Sequence, residues 1–146
     1  MKSGEKIRLT INEVAPRDGF QMEERFIPTA DKVALIDRLS NLGYAKIEVT
    51  SFTSPKAIPT LADGADVMER IRRQPGVIYT ALIPNMKGAE RAVAARVDEF
   101  NLVMSCSETH NLSNLRMTRE QSFRQLTDVV DLAKGANVPV DRKSVG

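Results

Sequence analysis

The chain reads as an α/β protein in which a parallel sheet is built from strands joined by helical crossovers. Three observations predict this. Strand-like alternation and helix-like periodicity take turns along the chain, in the order β-α-β-α-β-α-β-α-β. Residues 77–83, Val-Ile-Tyr-Thr-Ala-Leu-Ile, are nearly all apolar or β-branched, as in a strand covered on both faces. Polar and charged residues gather just after the strand C-termini, the end at which α/β proteins carry their sites. Periodicity alone does not separate a barrel segment from an open doubly wound sheet.

The elements follow in order. Residues 7–14 alternate and predict the first strand. Pro16-Arg17-Asp18-Gly19 predicts a turn at its end, with Gly19 permitting the bend, and residues 21–27 a loop. Thr29 is expected as the N-cap of a helix with Val33, Leu35, Ile36, Leu39 and Leu42 as its buried stripe, stopped by Gly43. Residues 45–49 predict a second strand. Pro55 and Pro59 keep residues 53–64 non-helical, and residues 65–73 form a second helix. Pro84-Asn85 ends the third strand, and residues 87–95 predict a short Ala-rich helix. Residues 99–104 predict a fourth strand, followed by a polar loop over 105–114. Thr118 and Gln121 have capping-box spacing. Leu126, Val129, Val130 and Ala133 then line a fourth helix that Gly135 ends. Val138-Pro139-Val140 opens a fifth strand.

Composition narrows the function classes. The 146 residues are 42% hydrophobic and 27% charged, an ordinary globular balance. A net charge of +2, with both signs interspersed, gives no footprint for nucleic acid or an anionic membrane. No apolar run approaches the ~20 residues of a membrane helix. The N-terminus has no apolar signal region, and the single Cys106 excludes an internal disulfide, so a cytoplasmic location is expected. No glycine-rich phosphate fingerprint follows the first strand, which counts against a dinucleotide-binding domain.

The chemistry-bearing stretch is Val14-Ala15-Pro16-Arg17-Asp18-Gly19-Phe20-Gln21. Asp18 is a hard oxygen donor of the kind Mg²⁺ or Mn²⁺ takes. Arg17 is a permanent cation with a planar donor fork, suited to an enolate or carboxylate oxygen. The plain alternative is a surface turn with a local ion pair. Cys106 reads as a small residue at a strand end, and His110 as a solvated loop residue. The Arg70, Arg72 and Arg73 cluster reads as a solvated helix end, and the methionines as core filling. Glu48 could simply pair with a neighbouring lysine.

Three motifs taken together carry a resemblance. They are Val14-Ala15-Pro16-Arg17-Asp18-Gly19-Phe20-Gln21-Met22-Glu23, Ile47-Glu48-Val49-Thr50-Ser51-Phe52-Thr53-Ser54-Pro55-Lys56 and Ile83-Pro84-Asn85-Met86-Lys87-Gly88. In this order they resemble the N-terminal portion of the 3-hydroxy-3-methylglutaryl-CoA lyases, within a wider superfamily of metal-dependent TIM-barrel lyases and synthases. The resemblance implies α/β units making about the first half of a TIM barrel, four to five strands, over residues 1–140, with 141–146 outside the family pattern. It implies a lyase that cleaves 3-hydroxy-3-methylglutaryl-CoA, or a close acyl-CoA, by metal-assisted retro-aldol chemistry of the kind used in leucine degradation. Arg17 then matches the cation that stabilises the enolate oxygen. Asp18 matches the ligand of a divalent metal, Mg²⁺ or Mn²⁺. Glu48 matches a second carboxylate acting at the substrate directly or through water. Gln21, Ser51 and Asn85 match pocket positions.

The chain also departs from that pattern. Phe20 and Met22 stand where the family usually has Leu and Asn, and residues 105–111 differ from the best-known lyases. The family completes its metal site with a His-x-His pair and adds a reactive Cys on a Gly-rich loop. Here the only His and Cys are His110 and Cys106, near the fourth strand. A full barrel takes roughly 250 residues. A related Claisen-type synthase or aldolase, or an inactive remnant, therefore stays open beside the lyase. A half-barrel exposes two sheet edges, so a homo-oligomer is expected.

Overall fold

The computed structural model describes residues 9–145, with side chains through Asp141. Among the described residues five strands form one sheet: β1 (Asn12–Glu13), β2 (Lys46–Ser51), β3 (Ile78–Leu82), β4 (Glu99–Ser105) and β5 (Val140–Val145). Every neighbouring pair is parallel, and the spatial order β1-β2-β3-β4-β5 is the chain order. A doubly wound sheet reverses its order at a switch point. A sheet that adds each strand beside the last, in one direction, is a barrel wall. Residues 7 and 8 of the expected first strand lie outside the described residues.

The helices are α1 (Ala15–Gln21), α2 (Thr29–Leu39), α3 (Gly64–Arg70), α4 (Met86–Ala94), α5 (Glu108–Leu115) and α6 (Arg119–Gly135), with a 3₁₀ turn at Pro59–Leu61. None is long and apolar enough to cross a membrane. Strand residues alternate between two different surroundings. Ile47, Val49, Tyr79, Ala81, Phe100 and Leu102 enter an apolar core with Ile36, Val67, Met68, Ala89, Ala92, Val129 and Ala133 from the helices. The residues between them, Lys46, Glu48, Thr80, Glu99 and Asn101, bond to one another across the opposite face. The core thus lies between sheet and helices, and the other face of the sheet is polar.

Several local expectations are corrected. The stretch after β1 is helical: Pro16 sits near the start of α1, Glu13 Oε1 accepts from Ala15 N at 2.8 Å, and Gly19 is a helical residue. Pro28 caps α2, while Thr29 is its first residue and donates its hydroxyl to Asp63 Oδ2 at 2.7 Å. Leu35 and Leu42 are exposed, and the buried stripe is centred on Ile36. Gly43 does take the left-handed conformation, at φ +84°. The predicted loop over 105–114 contains α5, which Ser107 caps by accepting from His110 N at 3.3 Å. As expected, α6 ends at Gly135, and the left-handed residue just beyond it is Asn137, at φ 55°. The capping box at Thr118 and Gln121 is present. β5 runs on to Val145, in register with β4 throughout.

The segment between β2 and α3 is fastened by a buried charge pair that periodicity does not reveal. Lys32 sits in the interior side of α2, only 2% exposed. Its Nζ donates to Asp63 Oδ1 and to the Thr60 carbonyl, both at 2.6 Å, and lies 4.2 Å from the Phe26 ring centre. Removing one partner of such a pair leaves the other charge buried without its counter-ion. Asp63→Ala is therefore expected to destabilise the fold by about 3–5 kcal/mol. A Lys32→Met/Asp63→Leu double variant should recover most of that loss. Urea denaturation of the three proteins measures both effects, and equal stability of the two variants would show that the pair is not coupled.

Candidate functional site

The site forms where α1 meets the middle of β2. Arg17, on the first turn of α1, reaches back to β2 and donates its Nε to Glu48 Oε1. Its Nη1 donates to Asp18 Oδ1 at 2.9 Å and, more weakly, to Gln21 Oε1 at 3.5 Å. The spacing of these residues explains the grouping. Arg17 and Gln21 are four apart on one helix and so share a face. The Glu48 side chain is 2% exposed, that of Arg17 18% and that of Asp18 62%. A buried base of the cluster thus grades into solvent at Asp18.

Asn101 completes the arrangement. Two strands away on β4, its amide nitrogen donates to Glu48 Oε2 and to Thr80 Oγ1, the latter at 3.0 Å. One Glu48 oxygen therefore faces a guanidinium and the other an amide. Below them Lys46 and Glu99 make a second bond across β3, at 2.5 Å. Asn101 and Thr80 were missed in the sequence, where each sits inside a mostly apolar strand. The available signal was parity: Asn101 is two residues from Glu99, so both must face the same side.

The other sequence candidates lie apart from this cluster. Ser51, at the end of β2, is buried and shares a 2.7 Å bond with Thr53 Oγ1. Asn85 spends its side-chain oxygen on the N-terminus of α4, accepting from Gly88 N at 2.9 Å. A Cβ at Gly88 would stand 2.8 Å from the Phe52 carbonyl oxygen, so α4 packs closely on the chain leaving β2. His110 is on α5 and exposed, with Nδ1 3.2 Å from Ser105 Oγ and Nε2 2.8 Å from Asn114 Nδ2. A cavity of about 180 Å³ lies beside it, lined by Thr53, Ile83, Pro84, Ser105 and His110. Glu108, at the start of α5, accepts from the Arg119 backbone and guanidinium, which hold its carboxyl below the usual carboxylate range.

The residues present do not by themselves make a metal centre. Asp18 is exposed and supplies one hard oxygen, but both Glu48 oxygens are engaged by Arg17 and Asn101. Among the described residues no group of three or more His, Cys, Asp and Glu side chains is placed to hold an ion.

Consecutive parallel strands with helices on one face and a polar opposite face define a segment of a (β/α) barrel. The chain belongs to the HMGL-like family, whose model matches residues 8–143. It is 42% identical over 133 residues to the mitochondrial hydroxymethylglutaryl-CoA lyase of Gallus gallus, covering 91% of this chain and 45% of that one. It is 44% identical to the hydroxymethylglutaryl-CoA lyase YngG of Bacillus subtilis, covering 90% and 44%. Among solved structures, the HMG-CoA lyase of Acinetobacter baumannii superimposes with a TM-score of 0.89 at 48% identity, over 93% of this chain and 44% of that one. The Bacillus subtilis lyase gives 0.91 at 42% identity, over 94% and 46%. The chain thus spans a little under half the length of the relatives it matches, and its sheet is an incomplete barrel.

Within the Arg17–Glu48 cluster Asp18 is the one exposed carboxylate, which has a direct consequence for ion binding there. Cation affinity rises with the number of oxygen ligands, so one exposed donor should hold Mn²⁺ at about millimolar affinity or weaker. Paramagnetic Mn²⁺ titration of the 146-residue chain should show only such weak binding, reduced further in Asp18→Asn. Tight, saturable binding of one ion would contradict the geometry.

Proposed function

We propose that this chain carries the Arg17–Glu48 half of the active site of a carbon–carbon lyase acting on 3-hydroxy-3-methylglutaryl-CoA or a close 3-hydroxy-acyl-CoA. The observation that carries the reading is the Arg17 guanidinium at the C-terminal end of β1, seated on a buried glutamate and flanked by Asp18. The lyase names of its relatives support it, as does the Acinetobacter baumannii enzyme, described in complex with coenzyme A and 3-methylmalate. Asp18 would offer one oxygen to Mg²⁺ or Mn²⁺, with the remaining ligands coming from outside this segment. The cytoplasmic form of the lyase in Mus musculus gives a precedent for a cytoplasmic location.

In retro-aldol cleavage a general base takes the proton of the C3 hydroxyl and the O–H electrons form a carbonyl. The C2–C3 bond breaks, and its electrons move onto the thioester carbonyl, giving the acetyl-CoA enolate. Negative charge therefore grows on one oxygen during the step. Arg17 supplies a fixed cation for that oxygen. Glu48 sets the plane of the guanidinium through Nε, leaving Nη1 toward Asp18 and Gln21. Gln21, Ser51 and Asn85 are assigned to the pocket wall, the last two through the backbone they fix. Taken alone, this segment leaves the outer edges of β1 and β5 without a partner strand among the described residues, which favours association with a second copy; light scattering of the 146-residue chain at micromolar concentration tests this.

An interaction stronger in the transition state than in the ground state changes kcat more than KM. In the complete barrel containing this segment, Arg17→Lys should lose about 10²–10³ in kcat, because the charge survives but the planar fork does not. Asp18→Ala should shift the activity to higher added Mg²⁺ or Mn²⁺. Steady-state kinetics across a metal titration measures both. Near-normal kcat in Arg17→Lys would reduce the cluster to a structural ion pair. The 146-residue chain alone should release no acetoacetate above background, since Asp18 and Glu48 leave a metal-dependent reaction short of ligands.

A further inference from the structure

Glu48 is a carboxylate almost wholly removed from water, and its orientation decides where Arg17 points. A carboxylate attached through two methylenes has rotational freedom that a single contact does not remove. Asn101 supplies the second contact from β4, and is itself only 3% exposed. A carboxylate only accepts, so it is the amide nitrogen that faces it. That nitrogen has two hydrogens: one goes to Glu48 Oε2 and the other to Thr80 Oγ1. The amide is thereby fixed by its own neighbour before it fixes Glu48. The chain of contacts runs Thr80–Asn101–Glu48–Arg17, across β3, β4, β2 and α1.

We propose that Asn101 is a positioning residue of the active site, holding Glu48 in the rotamer that aims the Arg17 guanidinium at the developing enolate oxygen. The assignment rests on the lyase reading for its kinetic consequence, though not for its geometry. Groups that orient a catalytic side chain from behind typically change activity about 10- to 100-fold when removed. An apolar residue of similar size at 101 removes both donors. An aspartate keeps the shape but places a second carboxylate beside Glu48. At low pH such a pair shares a proton, and the protonated member can donate to the other. As pH rises both ionise and repel. The charged groups around them are Arg17 on α1, the Lys46–Glu99 pair on β2 and β4, and Asp141, which is in register with Asn101 on β5.

The test uses the complete barrel containing this segment, saturated with Mg²⁺. Asn101→Leu should lower kcat about 10- to 100-fold, with KM unchanged within about twofold. Asn101→Asp should keep its activity on the acid side and lose it as pH rises, a limb the parent lacks. Independently of activity, the Arg17 Nε–H signal should be protected from solvent exchange in the parent and lose that protection in Asn101→Leu. An unchanged kcat, a loss confined to KM, or an Nε–H equally protected in the variant would overturn the proposal. If Asn101→Leu does not fold, the pH profile of Asn101→Asp decides. If the parent cleaves no acyl-CoA while the Nε–H protection still depends on Asn101, the lyase reading fails and the positioning role stands.

Discussion

One buried carboxylate organises this half-barrel. Glu48 sits in the middle of β2, where an isolated ionised group would be strongly unfavourable. It is accommodated because two elements far apart in the chain deliver donors to its two oxygens: α1 through Arg17 and β4 through Asn101. The separations are 31 and 53 residues, so these bonds exist only when the strands have their final order. Satisfying Glu48 therefore fixes α1 over the end of β2 and sets the registry of β2 and β4 around β3. The Lys46–Glu99 bond repeats the pattern one step along the same strands. A polar ladder on one face and an apolar core on the other give each strand a defined inside and outside, and the one register shift between β2 and β3 falls between Glu48 and Thr50, just past the ladder.

The distinction between the two faces explains what was legible in the sequence. The four strands from 45 to 140 and helices α2, α3, α4 and α6 carry enough apolar periodicity to be read directly. The helices α1 and α5 do not. Among the seven residues of α1 only Pro16 is buried, and the helix is held by Glu13 at its N-terminus and by Arg17 bonded to a distant strand. In α5 only Asn111 is buried, through bonds to Ser122 and the Met117 carbonyl. Both helices begin on a local side-chain bond, from Glu13 and from Ser107, and are fastened by polar bonds to residues further along the chain that apolar periodicity does not encode. Lys32 is the same case, since a lysine on the inward side of α2 makes sense only once Asp63 has been brought to it.

The candidate site divides along similar lines. Of the six residues the sequence points to, Arg17, Asp18, Gln21 and Glu48 stand together in space. Ser51 and Asn85 bond within their own loops instead, Ser51 to Thr53 and Asn85 to the first turn of α4. Asn101 escaped notice because a strand such as Phe100-Asn101-Leu102-Val103 is read for its apolar members. The strand order also lay beyond periodicity: barrel and doubly wound sheet share the same β/α alternation, and only the pairing of each strand with its sequence neighbour separates them.

The loops at this end of the sheet are held as firmly as the strands. Gly64 packs so closely on Thr50 that a Cβ there would lie 2.6 Å from Oγ1, and Gly88 does the same against the backbone at Phe52. Thr29 and Lys32 hold Asp63 from the side of α2. These contacts pin both ends of the segment that leaves β2, the strand bearing Glu48. A cation that must meet charge on a single substrate oxygen tolerates little displacement, since orientation errors of about 1 Å can cost ~10²-fold in rate. Rigidity is therefore built into β2 from three directions: helix α1 at its polar face, the apolar core behind it, and the glycine-packed loop beyond its C-terminus. Each direction uses a different kind of interaction, so the placement of Glu48, and through it of Arg17, does not rest on any one of them alone.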